Sequence, residues 1–110
     1  MTDRSLSTQV FQILLSLADQ DLHGYAIIQD VAERTDGEVR LTASTLYAAV
    51  KRLLDQGLID EVSSRARDDD PRRRYYHLTP AGRKTARDEA LRLERLAAMA
   101  RAKRLLPSPR

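Results

Sequence analysis

Residues 42–57 read TASTLYAAVKRLLDQG, and the two unlike faces of this stretch decide the fold. Leu46, Val50, Leu53 and Leu54 fall at i, i+4, i+7 and i+8, which predicts one apolar stripe on a short helix. The other side carries Ser44, Thr45, Tyr47, Ala48, Lys51 and Arg52. Thr42 suits the N-cap, because its hydroxyl can accept from a first-turn N–H. Gly57 suits the left-handed conformation that ends a helix. By itself this is an ordinary amphipathic helix. Its hydroxyls, phenol and cations also fit a helix lying in a DNA major groove, and the neighbouring segments must decide between the two.

Upstream, Leu6, Val10, Ile13, Leu14 and Leu17 make a helical stripe, so a first helix is expected over residues 6–17, capped by Ser5 or Asp3. A second helix is expected over residues 22–35, with Tyr25, Ile28, Val31 and Ala32 on one face and Asp36-Gly37 closing it. Gly24 near its start would permit close packing against another helix. His23 has no second ligand at metal spacing, so it is read as a capping or packing residue. Residues 38–41 are read as a short extended bridge, with Val39 or Leu41 facing inward.

Downstream, residues 58–64 and 74–78 read as two strands joined by the charged segment RARDDDPRR. In the return strand Tyr76 and Leu78 would share one face, and Tyr75 and His77 the other. Thr79-Pro80 is a good N-cap and first position for a last helix, expected to reach Leu106 before Pro107 and Pro109. On that helix Ala86, Ala90, Leu93, Ala97 and Ala100 are spaced 4, 3, 4, 3, with Leu96 beside them. A helix this long and this charged cannot bury its own stripe, which points to a partner subunit.

The expected architecture is therefore mainly α with a small β-hairpin: a winged helix-turn-helix plus a long C-terminal dimerisation helix. The units are residues 1–78, 79–106 and a frayed tail at 107–110. In such a fold the third helix enters the major groove and the hairpin, or wing, touches the flanking backbone. Ser44, Thr45, Tyr47 and Lys51 are the candidate groove contacts, with Arg52 read as a flanking cation or salt-bridge partner. Arg72, Arg73 and Arg74 are candidates at the wing, while Asp68, Asp69 and Asp70 at its tip oppose DNA contact. Leu6, Val10, Phe11, Ala86, Ala90, Leu93, Leu96, Ala97 and Ala100 are the candidate dimer contacts.

Composition is consistent with this. The 110 residues suit one domain with a small core, 42% of the chain is hydrophobic, and the net charge is +3. That charge is uneven: residues 1–42 hold three basic and seven acidic side chains, and residues 79–110 hold nine and three. There is no cysteine, hence no disulfide or thiol chemistry, and no catalytic spacing such as HExxH or GxSxG. No enzyme, metal or cofactor is expected, nor a membrane partner. With no signal-like or membrane-length apolar run, a cytoplasmic location is expected.

Three segments together resemble the PadR-like transcriptional regulators. HGYAIIQDV is similar to that family's second-helix signature, LTASTLYAAVKRLLDQGLI to its third-helix segment, and RRRYYHLTPAGRK to its wing strand and last-helix start. The single short C-terminal helix resembles the family's smaller subgroup. The resemblance implies a homodimer built from the first and last helices, binding a two-fold-related double-stranded operator, usually as a repressor. It favours Thr45, Tyr47 and Lys51, with Arg73 and Arg74, as DNA contacts. Some members of the subgroup hold flat aromatic ligands on a last-helix tryptophan. This chain has none, with Leu93, Leu96 and Met99 in that region, so an effector of unknown identity is left open. The alternative is a winged-helix protein-interaction or scaffolding module that does not bind DNA.

Overall fold

A computed structural model describes residues 6–62 and 73–108. The expectations for Asp3, Ser5, Arg72, the Asp68–Asp70 run and Pro109 lie outside those residues. The element order is α1 (Thr8–Ser16), β1 (Leu22–His23), α2 (Gly24–Arg34), α3 (Ala43–Asp55), β2 (Ile59–Val62), β3 (Tyr75–Leu78) and α4 (Pro80–Ala102). The three strands form one antiparallel sheet in the order β1-β3-β2. Three helices followed by a hairpin and a long helix is the winged helix-turn-helix order expected from the sequence. Among the described residues, no helix is long and apolar enough to cross a membrane.

Each helix starts on a side-chain cap. The hydroxyls of Ser7, Thr42 and Thr79 accept from the backbone N–H of Val10, Thr45 and Gly82, and His23 Nδ1 accepts from Ala26. Pro80 follows Thr79 at the first position of α4, where a missing N–H costs nothing. At the other end of α3, Gly57 has φ +71°. The Leu58 N–H reaches the Leu53 carbonyl at 2.9 Å and the Gly57 N–H reaches that of Leu54 at 3.0 Å. This double closure turns the chain sharply into β2.

The core gathers Ile13, Leu14 and Leu17 of the first helical segment, Ile27 and Val31 of α2, and Leu46, Val50 and Leu53 of α3. Ile59, Tyr76 and Leu78 of the sheet close it. Burying a side chain such as Leu46 or Ile13 in full stabilises the fold by roughly 1.5–3 kcal/mol. Arg34 fixes how α2 crosses α1. Its guanidinium donates to Asp30 Oδ2 (2.8 Å), to the carbonyl (2.9 Å) and side chain (2.7 Å) of Gln12, and to Ser16 Oγ (2.7 Å). Burial raises the Asp30 pKa, but the Arg34 and Ser16 hydrogen bonds and the Arg34 charge outweigh it. The carboxyl is left below its ordinary 3.8.

Three expectations need correction. Residues 38–41 are not a bridge; the third strand is Leu22–His23, paired with Tyr76 and Tyr75. The 38–41 segment is irregular chain in which the Val39 N–H donates to Thr35 Oγ1, and Leu41 does point inward and is buried. The second helix starts at Gly24, and it buries Gly24, Ile27 and Val31, leaving Tyr25 exposed. In β3 the expected alternation holds, with Tyr76 and Leu78 on the core; Tyr75 on the other face is buried as well, because His23 stacks edge-on against it, their ring centroids 5.3 Å apart. Finally, α4 stops at Ala102 rather than near Leu106. Arg104 adopts φ +63° and the Leu105 N–H closes on the Ala100 carbonyl at 2.9 Å, so the helix is capped before Pro107 is reached.

Candidate nucleic-acid interface

The outward side of α3 is polar by construction, because its apolar stripe is consumed by the core. Leu46, Ala49, Val50 and Leu53 are buried, so Ser44, Tyr47, Ala48, Lys51 and Arg52 are exposed, with Thr45 half-buried at the edge. The N-cap organises the first turn. Thr42 Oγ1 accepts from the Thr45 N–H at 3.1 Å and donates to Thr45 Oγ1 at 2.9 Å. Thr45 Oγ1 thus accepts from the cap at the exposed edge of the helix. Ser44 Oγ lies 3.3 Å from Thr42 Oγ1 in the same cluster. Lys51, one turn further along, makes no ion pair among the described residues. Neither does Arg52, so the salt-bridge reading of Arg52 has no support; it lines a second groove with Leu6, Val10 and Leu53.

Beside this face lies an open depression of about 400 Å³ where the start of α2, the middle of α3 and the start of β3 meet. His23, Gly24, Tyr25, Tyr47, Arg73, Arg74 and Tyr76 line it. The sheet explains the assembly. β1 pairs with β3 at His23↔Tyr75, which brings the wing's base to the first turn of α2. Arg73 and Arg74 are thereby carried to within one depression of Tyr47. Arg74 is only loosely held, its Nη1 3.7 Å from Glu61 Oε2 with both side chains well exposed. Arg73 Nη1 lies 3.3 Å from His23 Nε2, and His23 Nδ1 accepts from the Ala26 N–H.

Of the sequence candidates, Tyr47, Arg73 and Arg74 converge on the depression. Ser44, Thr45 and Lys51 stay on the adjoining face of α3. His23, Tyr25 and Tyr76 were not expected at this surface. Tyr25 was legible: Gly24, Ile27 and Val31 at i, i+3 and i+7 form the inward stripe of α2, which excludes it. Tyr76 was not, since its place depends on the β1 pairing. Its phenol is buried, and burial, then the nearby Tyr47 and Glu61, push its pKa above 10, against the lowering influence of Arg74.

Residues 13–88 match the family model described as the transcriptional regulator PadR-like family. The chain belongs to that family. PadR-like proteins are transcriptional regulators rather than enzymes. The structure is similar to a PadR family transcription regulator of Clostridium difficile, with a TM-score of 0.76 and 27% identity over 87% of this chain and 97% of that one. It is also similar to Bacillus subtilis PadR in complex with operator DNA, with a TM-score of 0.64 and 25% identity over 74% of this chain and 45% of that one. In sequence, it is 31% identical over 71 residues to the uncharacterized protein X of Lysinibacillus sphaericus. The chain spans 64% of that relative's length.

Proposed function

We propose that this PadR-like chain is a dimeric DNA-binding repressor whose α3 enters the major groove of a two-fold-related operator. One observation carries the reading: the exposed hydroxyl, phenol and ammonium face of α3 adjoins a depression edged by Arg73 and Arg74. Cations beside a row of donors and acceptors are what a surface needs to hold phosphates and read base edges together. Ser44 and Thr45 lie in the first turn of α3, where hydroxyls and the helix dipole favour a phosphate. Tyr47 offers its hydroxyl to phosphate or its ring to a thymine methyl, and Lys51 neutralises the adjacent backbone. Arg73 and Arg74, with Arg72 beyond the described residues, anchor the wing. The similarity to a PadR in complex with operator DNA supports this docking.

Dimerisation rests on α4. Its stripe of Gly82, Ala86 and Glu89 is covered by the chain's own body, but the same stripe continues through Leu93 (40% exposed) and Leu96 (46% exposed). A second copy supplying its own α1 and α4 would cover Leu93, Leu96, Ala97 and Ala100, with Ala90 and Phe11 at the margin. Leu6, Val10 and Ala86 already pack on the core from this side. In this division residues 1–78 contact DNA, 79–106 join the subunits and 107–110 form a tail.

The test is a binding titration on an operator recovered by selection from genomic DNA. Tyr47→Ala combined with Lys51→Ala is expected to abolish specific binding at moderate salt while leaving the oligomer folded. Parent affinity should fall steeply with added salt, with a slope reporting several neutralised phosphates. Unchanged binding by the double variant refutes the assignment, and a salt-insensitive protein complex without DNA affinity favours the scaffolding alternative.

A further inference from the structure

We propose that Gly24 is a positioning residue for Tyr47: its missing side chain is the seat in which the Tyr47 phenol docks, and this seat sets where α3 presents that phenol. The proposal rests on the DNA-binding reading above. Gly24 opens α2 and is buried, and no positive φ demands glycine there. What demands it is space. A Cβ built on Gly24 would lie 2.9 Å from Tyr47 Cζ, nearer still to the Tyr47 hydroxyl oxygen, and 3.1 Å from Leu46 Cδ2. Real Cβ atoms essentially never come as close as the two Tyr47 approaches, whereas the Leu46 contact is tight and needs a shift of only a few tenths of an ångström.

The two neighbours differ in freedom. Leu46 is wholly buried in the core, whereas Tyr47 is 51% exposed and its ring can swing about its own side-chain bonds. An added methyl therefore displaces the phenol rather than the core. Tyr76 lines the same depression from the sheet, and the Tyr47 hydroxyl is near enough to help raise the Tyr76 pKa. The docked ring thus lies between the first turn of α2 and the wing strand. A ring held there in the free protein needs less ordering on binding, and that pre-organisation is affinity.

A double-mutant cycle tests this on the full chain: parent, Gly24→Ala, Tyr47→Ala and the pair, titrated on the selected operator. Gly24→Ala is expected to keep the parent's melting temperature within a few degrees. It should weaken operator binding by roughly twofold to twelvefold, the range for freeing one side chain that binding must otherwise order. In the Tyr47→Ala background the same change should cost nothing more. In the free protein, Gly24→Ala should shift the Tyr47 ring resonances, read with labelled tyrosine. Unmoved resonances, full affinity in Gly24→Ala, or an equal loss in both backgrounds each overturn the proposal. A large drop in melting temperature does so too, since Leu46 would then be what yields. If Tyr47→Ala itself binds like the parent, the groove reading falls and the proposal with it. That outcome is distinguishable because the other failures leave Tyr47→Ala weakened.

Discussion

Replacing Gly82 by alanine sets two opposed effects against each other. Gly82 lies in the first turn of a 23-residue helix, and alanine is the better helix former by about 1 kcal/mol. Propensity alone thus predicts a more stable protein. The structure predicts the reverse. A Cβ at Gly82 would run into the carbonyl oxygen of Leu58, with the Leu58 carbonyl carbon at 2.9 Å and Leu78 Cδ1 at 2.7 Å. Backbone cannot swing aside as a side-chain tip can. Leu58 is held besides, since its N–H closes the end of α3 and its carbonyl accepts from the Thr79 N–H at 3.2 Å. Thr79 Oγ1 also donates to the Gly57 carbonyl at 2.7 Å. Overpacking costs about 1–3 kcal/mol where neighbours can yield, and a rigid carbonyl puts this site at or above the upper end. After the gain in propensity, a net loss of about 2 kcal/mol or more is expected. At constant protein concentration that corresponds to a melting temperature lower by roughly 8–15 °C. Differential scanning calorimetry with circular dichroism reads it directly. A melting temperature equal to or above the parent's would refute the packing argument and leave propensity as the governing effect.

Two further outcomes follow from features away from the groove. The lowered Asp30 pKa gives a stability contribution that is full above the ordinary carboxylate value and drains away as pH falls through the lowered one. Asp30→Asn should cost about 1 kcal/mol or less at pH 7, and the gap to the parent should close below roughly pH 4; parallel melting curves across that range would sink the assignment. Leu93→Glu with Leu96→Glu should shift the molecule to monomer in sedimentation equilibrium. Each change occurs twice in a two-fold interface, so the dissociation constant should rise by at least about 100-fold; an unchanged mass would remove α4 from the interface.

How much of this was readable beforehand depended on where the information sits. α3 was legible almost whole, because its cap, stripe and terminal glycine are local and agree with one another. α4 was legible at its start, where Thr79-Pro80 is a local signal. Its end was not, since an arginine at φ +63° carries no sequence mark comparable to glycine. β1 was invisible because a two-residue strand has no period; only its pairing with β3 defines it. Glu89 lies outside the alanine and leucine seam read from the α4 sequence, yet it is 5% exposed. Its carboxylate accepts from Arg92 at 2.6 and 2.9 Å and from the Leu6 N–H at 3.3 Å, which makes burial tolerable. The surface around Tyr47 was half legible for the same reason. The α3 residues follow from periodicity, whereas the wing arginines reach them only through the sheet.

The hydrogen bonds from Thr79 to Gly57 and Leu58 join the last turn of α3 to the first turn of α4. That junction ties the start of α4 to the segment that closes α3 and forms an elbow between them. If two copies pair through α4, the separation and angular phase of their α3 helices are dictated by the elbow and not by the loops. Operator half-sites must then recur at a set helical phase, about one duplex turn or a multiple of it. In such a pair, a roll of one α4 against the other would change the angle between the two α3 helices. Sensitivity to such a roll is the price of a stiff elbow, and tight tolerance for half-site spacing is its return.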